Sequence, residues 1–164
     1  MATVIKHNPQ LAEIEDLLYA EASCLDNADL DSWIQLYTDD GTYWMPLTPA
    51  QPDPLNYNSL IYDDRTLMEV RRRNLVHPRA PSKQDSIRGS HIIANIRIVE
   101  IDHDCGDCTV TSNFHAMLYY KNKQMFAGRY LHRLKRIDGK YLIHHKRVDL
   151  IDCDAPHRSI IIYL

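Results

Sequence analysis

Histidine, carboxylate and tyrosine side chains are the groups of this 164-residue chain that could support acid–base chemistry. His91 and His115 fall on two consecutive predicted strands, and we expect them to share the less apolar faces of those strands. A carboxylate or histidine base beside a tyrosine, with its pKa set by burial, would suit an isomerase or a dehydratase. The side chains expected to line the cavity of such an enzyme are Trp33, Tyr37, Tyr43, His91, His115 and Tyr119.

Metal and redox chemistry have weaker support in the sequence. Cys105 and Cys108 form a C-x-x-C pair, but no second ligand pair follows at a matching spacing, and turn-forming residues surround the pair. A Rieske cluster requires C-x-H and C-x-x-H motifs, and the sequence contains neither of them. We therefore expect no cofactor-binding or metal-binding residue on this chain.

Composition and charge favour a cytoplasmic protein that contacts other proteins. Hydrophobic residues make up 45% of the chain, and neither a signal peptide nor a membrane span is expected from the hydropathy pattern. We expect the four cysteines to be reduced. Residues 1–64 carry one basic and twelve acidic side chains, whereas residues 65–88 carry seven basic and two acidic ones. Such segregation is more typical of a protein–protein surface than of a nucleic-acid-binding surface.

The first half of the chain is predicted to be mainly helical. Residues 1–41 should form a helical hairpin that begins at Asn8-Pro9, with Asp29 capping a second helix that extends through Tyr37. Residues 42–89 should hold short strands, proline-rich loops and a third helix capped by Asp63-Asp64. The apolar side of that third helix would consist of Leu67, Met68, Val70 and Leu75.

Residues 90–151, within a predicted curved-sheet region of residues 90–164, alternate in a way that predicts four long antiparallel strands of one bent sheet. In the first strand, Ile92, Ala94, Ile96 and Ile98 should face the core. The second face of residues 108–121 is apolar enough to be partly covered. Asp138-Gly139 predicts a two-residue hairpin in which Leu134 faces Ile143, His132 faces His145 and Tyr130 faces Arg147. Gly128 indicates a bulge or a bend.

The order of these elements predicts an α+β fold in which three N-terminal helices pack on a strongly curved, mixed or antiparallel β-sheet. We expect residues 1–164 to form a single domain. A sheet of this shape encloses a cavity, which leaves three interpretations open. The chain could be a structural subunit, an isomerase or dehydratase that uses the cavity, or a protein that binds a small molecule there.

Three segments resemble the small, β subunit of bacterial aromatic-ring-hydroxylating dioxygenases. They are LDNADLDSWIQLYTDDGTYWMP (residues 25–46), SLIYDDRTLMEVRRRN (59–74) and SHIIANIRIV (90–99). The last segment is most similar to the branch that acts on benzoate and related aromatic acids, although many relatives have an Arg-His pair where this chain has Ser90-His91. The resemblance implies the cone fold of the NTF2-like (SnoaL-like) superfamily. It also implies that the C-terminal segment 158–164 is an edge strand or an interface segment.

The same resemblance implies that this chain is non-catalytic. In that family the partner α subunit carries a Rieske [2Fe-2S] cluster and a mononuclear iron, NAD(P)H supplies electrons through a reductase, and α and β form an α3β3 hexamer with β–β contacts. The chain would then stabilise α during cis-dihydroxylation of an aromatic acid. The candidate interface residues are the basic residues Arg65, Arg71, Arg72, Arg73, Arg129 and Arg147.

Overall fold

The structure is a computed structural model, and it describes residues 9–76, 87–157, 160 and 162–164. The predicted cap Asn8, most of the loop predicted between residues 77 and 88, and Arg158, Ser159 and Ile161 lie outside the described residues. The helices and strands, in chain order, are α1 (Pro9–Asp26), α2 (Leu30–Ile34), β1 (Tyr37–Pro46), β2 (Ser59–Asp64), α3 (Arg65–Val76), β3 (Arg88–Ile101), β4 (Cys108–Tyr120), β5 (Asn122–Ile137) and β6 (Lys140–Leu150).

The six strands form one sheet in the order β2-β1-β6-β5-β4-β3. Four of the five pairings are antiparallel, and β1 runs parallel to β6. The predicted α+β fold with a curved, mixed sheet is confirmed. The sheet has an inner face, which packs against the helices, and an outer face, which the helices leave open.

The helix caps follow the predicted side-chain chemistry. Asp29 accepts a hydrogen bond from the Ser32 amide and caps α2, and Asp64 does the same for Leu67 at the start of α3. Two predictions about this half are wrong. The second helix ends at Ile34, because Tyr37 already pairs with Ile143 as the first residue of β1.

The other error concerns the apolar side of α3. Met68 is fully buried, but Leu67 and Val70 are exposed and Leu75 is only half-buried. The helix therefore packs on the sheet through a much narrower apolar contact than its sequence pattern suggests.

A bulge in β3 reverses which side chains face the core. Asn95 has a positive φ of 56°, and the register with β4 shifts between Ala94 and Arg97. Ile96 and Ile98 pack against the core as predicted, whereas Ile92 and Ala94 are exposed. The prediction of one uniform core face is wrong for the first half of the strand, because an inserted residue moves the side chains that follow it, up to a second register shift between Ile98 and Glu100, to the opposite face.

A second bulge shifts the pairing of β5 with β6. Asp138 and Gly139 both have positive φ, and Leu134 pairs with Ile143, as predicted. Beyond that pair His144 is an extra residue, so His132 pairs with Lys146 rather than His145. Tyr130 pairs with Val148 rather than Arg147 for the same reason. The shift places the Lys146 side chain on the inner face, where it is buried.

Gly128 lies at a close backbone approach and not at a register shift. It pairs regularly with Phe114 on one side and Leu150 on the other. A Cβ at this position would lie 2.0 Å from the carbonyl oxygen of Asp149, so only glycine fits.

The described part of the C-terminal segment enters the interior of the fold. Ile162, Tyr163 and Leu164 are buried and are not part of a strand. The Leu164 amide donates to the Tyr43 hydroxyl at 3.1 Å, and the Tyr163 hydroxyl donates to Asp63 at 2.6 Å. The prediction of an edge strand is therefore wrong for these residues, because their side chains are buried on the inner face of the curved sheet.

Candidate functional site

A buried carboxylate organises the interior. Glu21 projects from α1, and its Oε1 accepts hydrogen bonds from the Tyr37 hydroxyl at 2.9 Å, Lys146 Nζ at 3.0 Å and Trp33 Nε1 at 3.3 Å. Its Oε2 accepts from His132 Nε2 at 3.0 Å. All five side chains are buried, so the cluster is sealed within the core.

The electrostatics of this cluster favour an ion pair beside a neutral imidazole. Burial alone would raise the pKa of Glu21, but the Lys146 ammonium and the His132 hydrogen bond outweigh it and lower that pKa. Burial lowers the pKa values of both Lys146 and His132. Because both oxygens of Glu21 are already occupied by donors of this chain, the carboxylate is not available as a base for a substrate.

Aromatic rings fill the space next to Glu21. Trp33 stacks on Tyr163 with ring centroids 4.3 Å apart, and Tyr43 lies 4.6 Å from the same ring. Tyr37 packs against Trp33 at 4.6 Å. Trp33, Tyr37 and Tyr43 thus lie in the interior, as the cavity hypothesis requires, but they pack on one another there.

The other three predicted cavity residues are separated. His91 lies on the inner face, where its Nδ1 donates to Asp26 Oδ1 at 2.6 Å. The register pairs His91 with Ala116, so His115 lies on the outer face, and both His115 and Tyr119 are exposed. The prediction that the two histidines share a face is wrong, because adjacent residues of β4 point to opposite sides of the sheet.

Three of the predicted interface arginines connect α3 to neighbouring helices and strands of their own chain. Arg65 donates to the backbone carbonyl oxygens of residues 34, 37 and 38. Arg71 forms an ion pair with the buried Asp63, and Arg72 pairs with Asp31 and with Glu69. These contacts join α3 to α2, β1 and β2.

The remaining three arginines differ in their surroundings. Arg147 is held between Asp149, at 2.8 Å, and the ring of Trp44. Arg73 is exposed on α3, and Arg129 is exposed on the outer face of β5. Among the described residues, Arg73 and Arg129 are the two of the six that form no ion pair, and Arg73 Nε donates to the Glu69 carbonyl oxygen at 3.4 Å.

Apolar side chains are exposed together on the outer face. Met117 pairs with Met125, and Ile92 lies beside them on β3 in the next row of the sheet. Met125 is 73% exposed and Ile92 is 67% exposed. We call the following set the outer patch: Ile92, Met117, Tyr119, Met125 and Ile151. The sequence indicated a partly covered second face for β4, and the outer patch lies on that face.

The four cysteines are free thiols in the structure. Cys105 is exposed and Cys108 is buried, and burial raises the pKa of the Cys108 thiol to about 11. Within residues 9–76 and 87–157, with the few described residues beyond them, no three His, Cys, Asp or Glu side chains are placed to hold a metal ion. In the same part of the chain, no helix has the length and apolar character needed to cross a bilayer.

The curved, mixed six-stranded sheet with helices packed on its inner face is an NTF2-like cone fold. Residues 20–155 match the family described as "Ring hydroxylating beta subunit". The chain is 33% identical over 158 residues to the small oxygenase component of the p-cumate 2,3-dioxygenase system of Pseudomonas putida, a match that covers 93% of this chain and 86% of that protein. It is also 33% identical to the toluate 1,2-dioxygenase β subunit of Pseudomonas putida, over 84% of this chain and 87% of that protein.

A solved structure supports the same assignment. The β subunit of benzoate 1,2-dioxygenase from Burkholderia mallei aligns with a TM-score of 0.73 and 28% identity, over 98% of this chain and 99% of that chain. This chain belongs to the β subunits of the aromatic-ring-hydroxylating dioxygenases.

Proposed function

We propose that this chain is the structural β subunit of an aromatic-ring dioxygenase and that it stabilises the catalytic α subunit. The α subunit would carry the Rieske cluster and the mononuclear iron, and a reductase would deliver electrons from NAD(P)H. Relatives named for p-cumate, toluate and benzoate support an aromatic acid as the substrate of the assembly. This chain would take no part in the cis-dihydroxylation itself.

The outer patch is the observation that carries this proposal. Soluble proteins rarely expose neighbouring large apolar side chains unless a partner covers them. Met117 and Met125 are paired across β4 and β5 and both are exposed. Flexible methionine side chains adapt well to an opposing surface. Arg129 lies two rows further along the same face and would supply a charged contact at the margin of the patch.

We assign the outer patch to contact with α and the exposed Arg73 on α3 to a second contact, with α or a neighbouring β chain. An α3β3 hexamer, located in the cytoplasm, is the arrangement we propose for the whole assembly. The segregated charge of the chain supports this hexamer. An acidic first third and basic side chains elsewhere allow different surfaces of neighbouring chains to attract each other.

The experiment is co-expression with the α subunit, followed by size-exclusion chromatography and an iron assay of the assembly. The double variant Met117→Glu with Met125→Glu places two charges in the outer patch and should reduce recovery of the assembly at least tenfold. Ile137→Glu changes a similarly exposed apolar residue near the β5–β6 hairpin and should assemble normally. Equal recovery of the double variant and the control would contradict the proposal.

Arginine substitutions test the margin of the interface. Arg129→Glu and Arg73→Glu each reverse one exposed charge without breaking the ion pairs that Arg71 and Arg72 form. We expect each to lower hexamer recovery several-fold, with a larger effect at low salt, because salt screens exposed charges. An unchanged elution volume and unchanged activity for both variants would show that these arginines do not lie in the interface.

A further inference from the structure

Four arginines on the outer face surround one residue of β5. Leu131 is half-buried, and it pairs with Thr111 on β4 and with Arg147 on β6. Thr111 in turn pairs with Arg97 on β3. The other two arginines precede and follow Leu131 by two residues on β5, so they share its face. We call the following set the arginine band: Arg97, Arg129, Arg133 and Arg147.

The spacing of a β-sheet places these four side chains around a small area. Neighbouring strands lie about 4.8 Å apart, and a strand rises about 3.4 Å per residue. The Cα atoms of Arg97 and Arg147 are therefore about 14 Å apart across three strand spacings, and those of Arg129 and Arg133 are about 14 Å apart along β5. The two side chains between Arg97 and Arg147 in their row are shorter than arginine, so an opposing group can lie between the guanidinium groups.

Most of the positive charge of the arginine band has no partner in this chain. Arg147 is held by Asp149 at 2.8 Å. Within the part of the chain that the structure describes, Arg97, Arg129 and Arg133 form no ion pair, and all three are exposed. The band therefore presents three charges to solvent or to a partner.

A neighbouring histidine responds to this positive charge. His145 pairs with Arg133 across β5 and β6. Burial is the main cause that lowers the pKa of His145 to about 4, and repulsion from Arg133, His144 and Arg147 lowers it further. The band thus disfavours additional cations on this part of the outer face and favours anions.

Carboxylates border the arginine band at the end that is distant from the outer patch. A groove of about 430 Å³ lies there, and Glu100, Asp102 and Asp107 line it together with Arg133. Asp102 and Asp107 accept hydrogen bonds from backbone amides of this chain. An acidic partner would be repelled at the groove, so it would lie on the other side of Arg133, towards Arg129 and the outer patch.

We propose that the arginine band binds an acidic segment of the α subunit through its carboxylate groups. This inference rests on the proposed function, because it names the chemistry of the α surface that continues from the outer patch. Arginine matches the geometry of a carboxylate with two parallel hydrogen bonds. Met125, Arg129 and Arg133 follow one another on one face of β5, so apolar and charged contacts would form one continuous interface.

Nucleic acid is a poorer fit to this surface. The ring of Trp44 lies under Arg147, but it is buried and cannot stack on a base. A band about 14 Å wide would also contact only a few phosphates of a strand.

Hexaglutamate is the probe for the test, with the fluorescence anisotropy of the labelled peptide measured against the full chain. At about 20 mM salt we expect saturable binding that weakens several-fold at about 200 mM salt. The double variant Arg97→Gln with Arg133→Gln should weaken the affinity about tenfold at the lower salt. The matched control Lys123→Gln with Lys140→Gln removes two exposed cations outside the band and should bind like the wild type.

The complex with α separates this inference from the proposed function. The Arg97→Gln with Arg133→Gln variant should associate with α several-fold more slowly than the wild type at low salt, and its rate should depend less on salt, because exposed interfacial charges act mainly on association. If this variant associates with the rate and salt dependence of the wild type, the inference is overturned while the assignment of the outer patch to α stands.

Two results with the free chain would also overturn the inference. Tighter binding of a thymidine dodecanucleotide than of hexaglutamate would assign the arginine band to nucleic acid. Self-association of the free chain at low salt that the Arg97→Gln with Arg133→Gln variant abolishes would assign the band to the acidic surface of a second copy.

Discussion

The two faces of the same strands have opposite properties. On the inner face of β4, Phe114 and Leu118 are buried in the hydrophobic core, where Glu21 is hydrogen-bonded to four side chains. On the outer face of the same strand, Met117 and Tyr119 are exposed. The comparison teaches that side chains hidden within the chain maintain the fold, while those left uncovered are available to a partner.

Charged groups follow the same division. The inner carboxylate Glu21 and ammonium Lys146 are paired within 3.0 Å and fully buried, so their interaction depends on this chain alone. On the outer face, Arg129 is exposed. A substitution inside should therefore act on the free energy of unfolding, and a substitution outside should act on assembly.

The largest effect is expected from Lys146→Met. The variant leaves the Glu21 carboxylate buried without its ammonium partner and should lower the free energy of unfolding by about 3–5 kcal/mol. Urea unfolding of the isolated chain measures this loss of stability. Adding Glu21→Gln removes the unpaired charge, so the double variant should be more stable than Lys146→Met alone. A double variant that is less stable would show that the ion pair does not govern the interior.

Acidification should destabilise the chain through histidines whose pKa values the fold lowers. Burial, with repulsion from Arg133, His144 and Arg147, lowers the pKa of His145 to about 4. In the unfolded chain this ring has a pKa near 6.5, so the unfolded state binds more protons between pH 6.5 and 4. The stability contributed by the neutral ring is complete above pH 7 and is lost as the pH falls through this range.

The expected loss is about 2 kcal/mol from His145 by pH 4.5, with further losses from His91 and His132, whose pKa values are also lowered. Urea unfolding at pH 7.5, 6.0 and 4.5 measures this dependence. The His145→Gln variant lacks this titrating ring, so its free energy of unfolding should depend less steeply on pH. Constant stability from pH 7.5 to 4.5 would mean that these rings are not held neutral in the fold.

The smallest effect on stability is expected on the outer face. Met125 is exposed and makes little contact within the chain, so Met125→Glu should change the free energy of unfolding by no more than about 0.5 kcal/mol. The same urea titration measures this change. A loss above 2 kcal/mol would show that the outer patch is part of the core, and the contrast between the two faces would fail.

Local signals in the sequence predicted most of the elements. The caps Asp29 and Asp64 and the Asp138-Gly139 turn are governed by neighbours within a few residues, and the structure contains all three. The bulges at Asn95 and His144 are not predictable from the sequence, because the extra residue is accommodated by pairing with a distant strand and leaves no local pattern.

The bulge at His144 explains why the sequence does not predict the buried cluster around Glu21. Lys146 reaches the inner face only because His144 shifts the register, so regular alternation placed it outside. One signal was available for its partner. Glu21 follows Leu17 and Leu18 and precedes Leu25 at helical spacing, so a carboxylate occupies the apolar side of α1. A charged residue in that position indicates a buried partner, although the sequence does not identify it.

Methionine oxidation of the free chain and of its complex with α tests the central claim most directly. A brief pulse of oxidant, followed by mass spectrometry, reports the accessibility of each methionine. Met117 and Met125 should be oxidised in the free chain and protected in the complex, while the buried Met45 and Met68 should resist oxidation in both. Equal oxidation of Met117 and Met125 in the free chain and in the complex would contradict the assignment of the outer face to α.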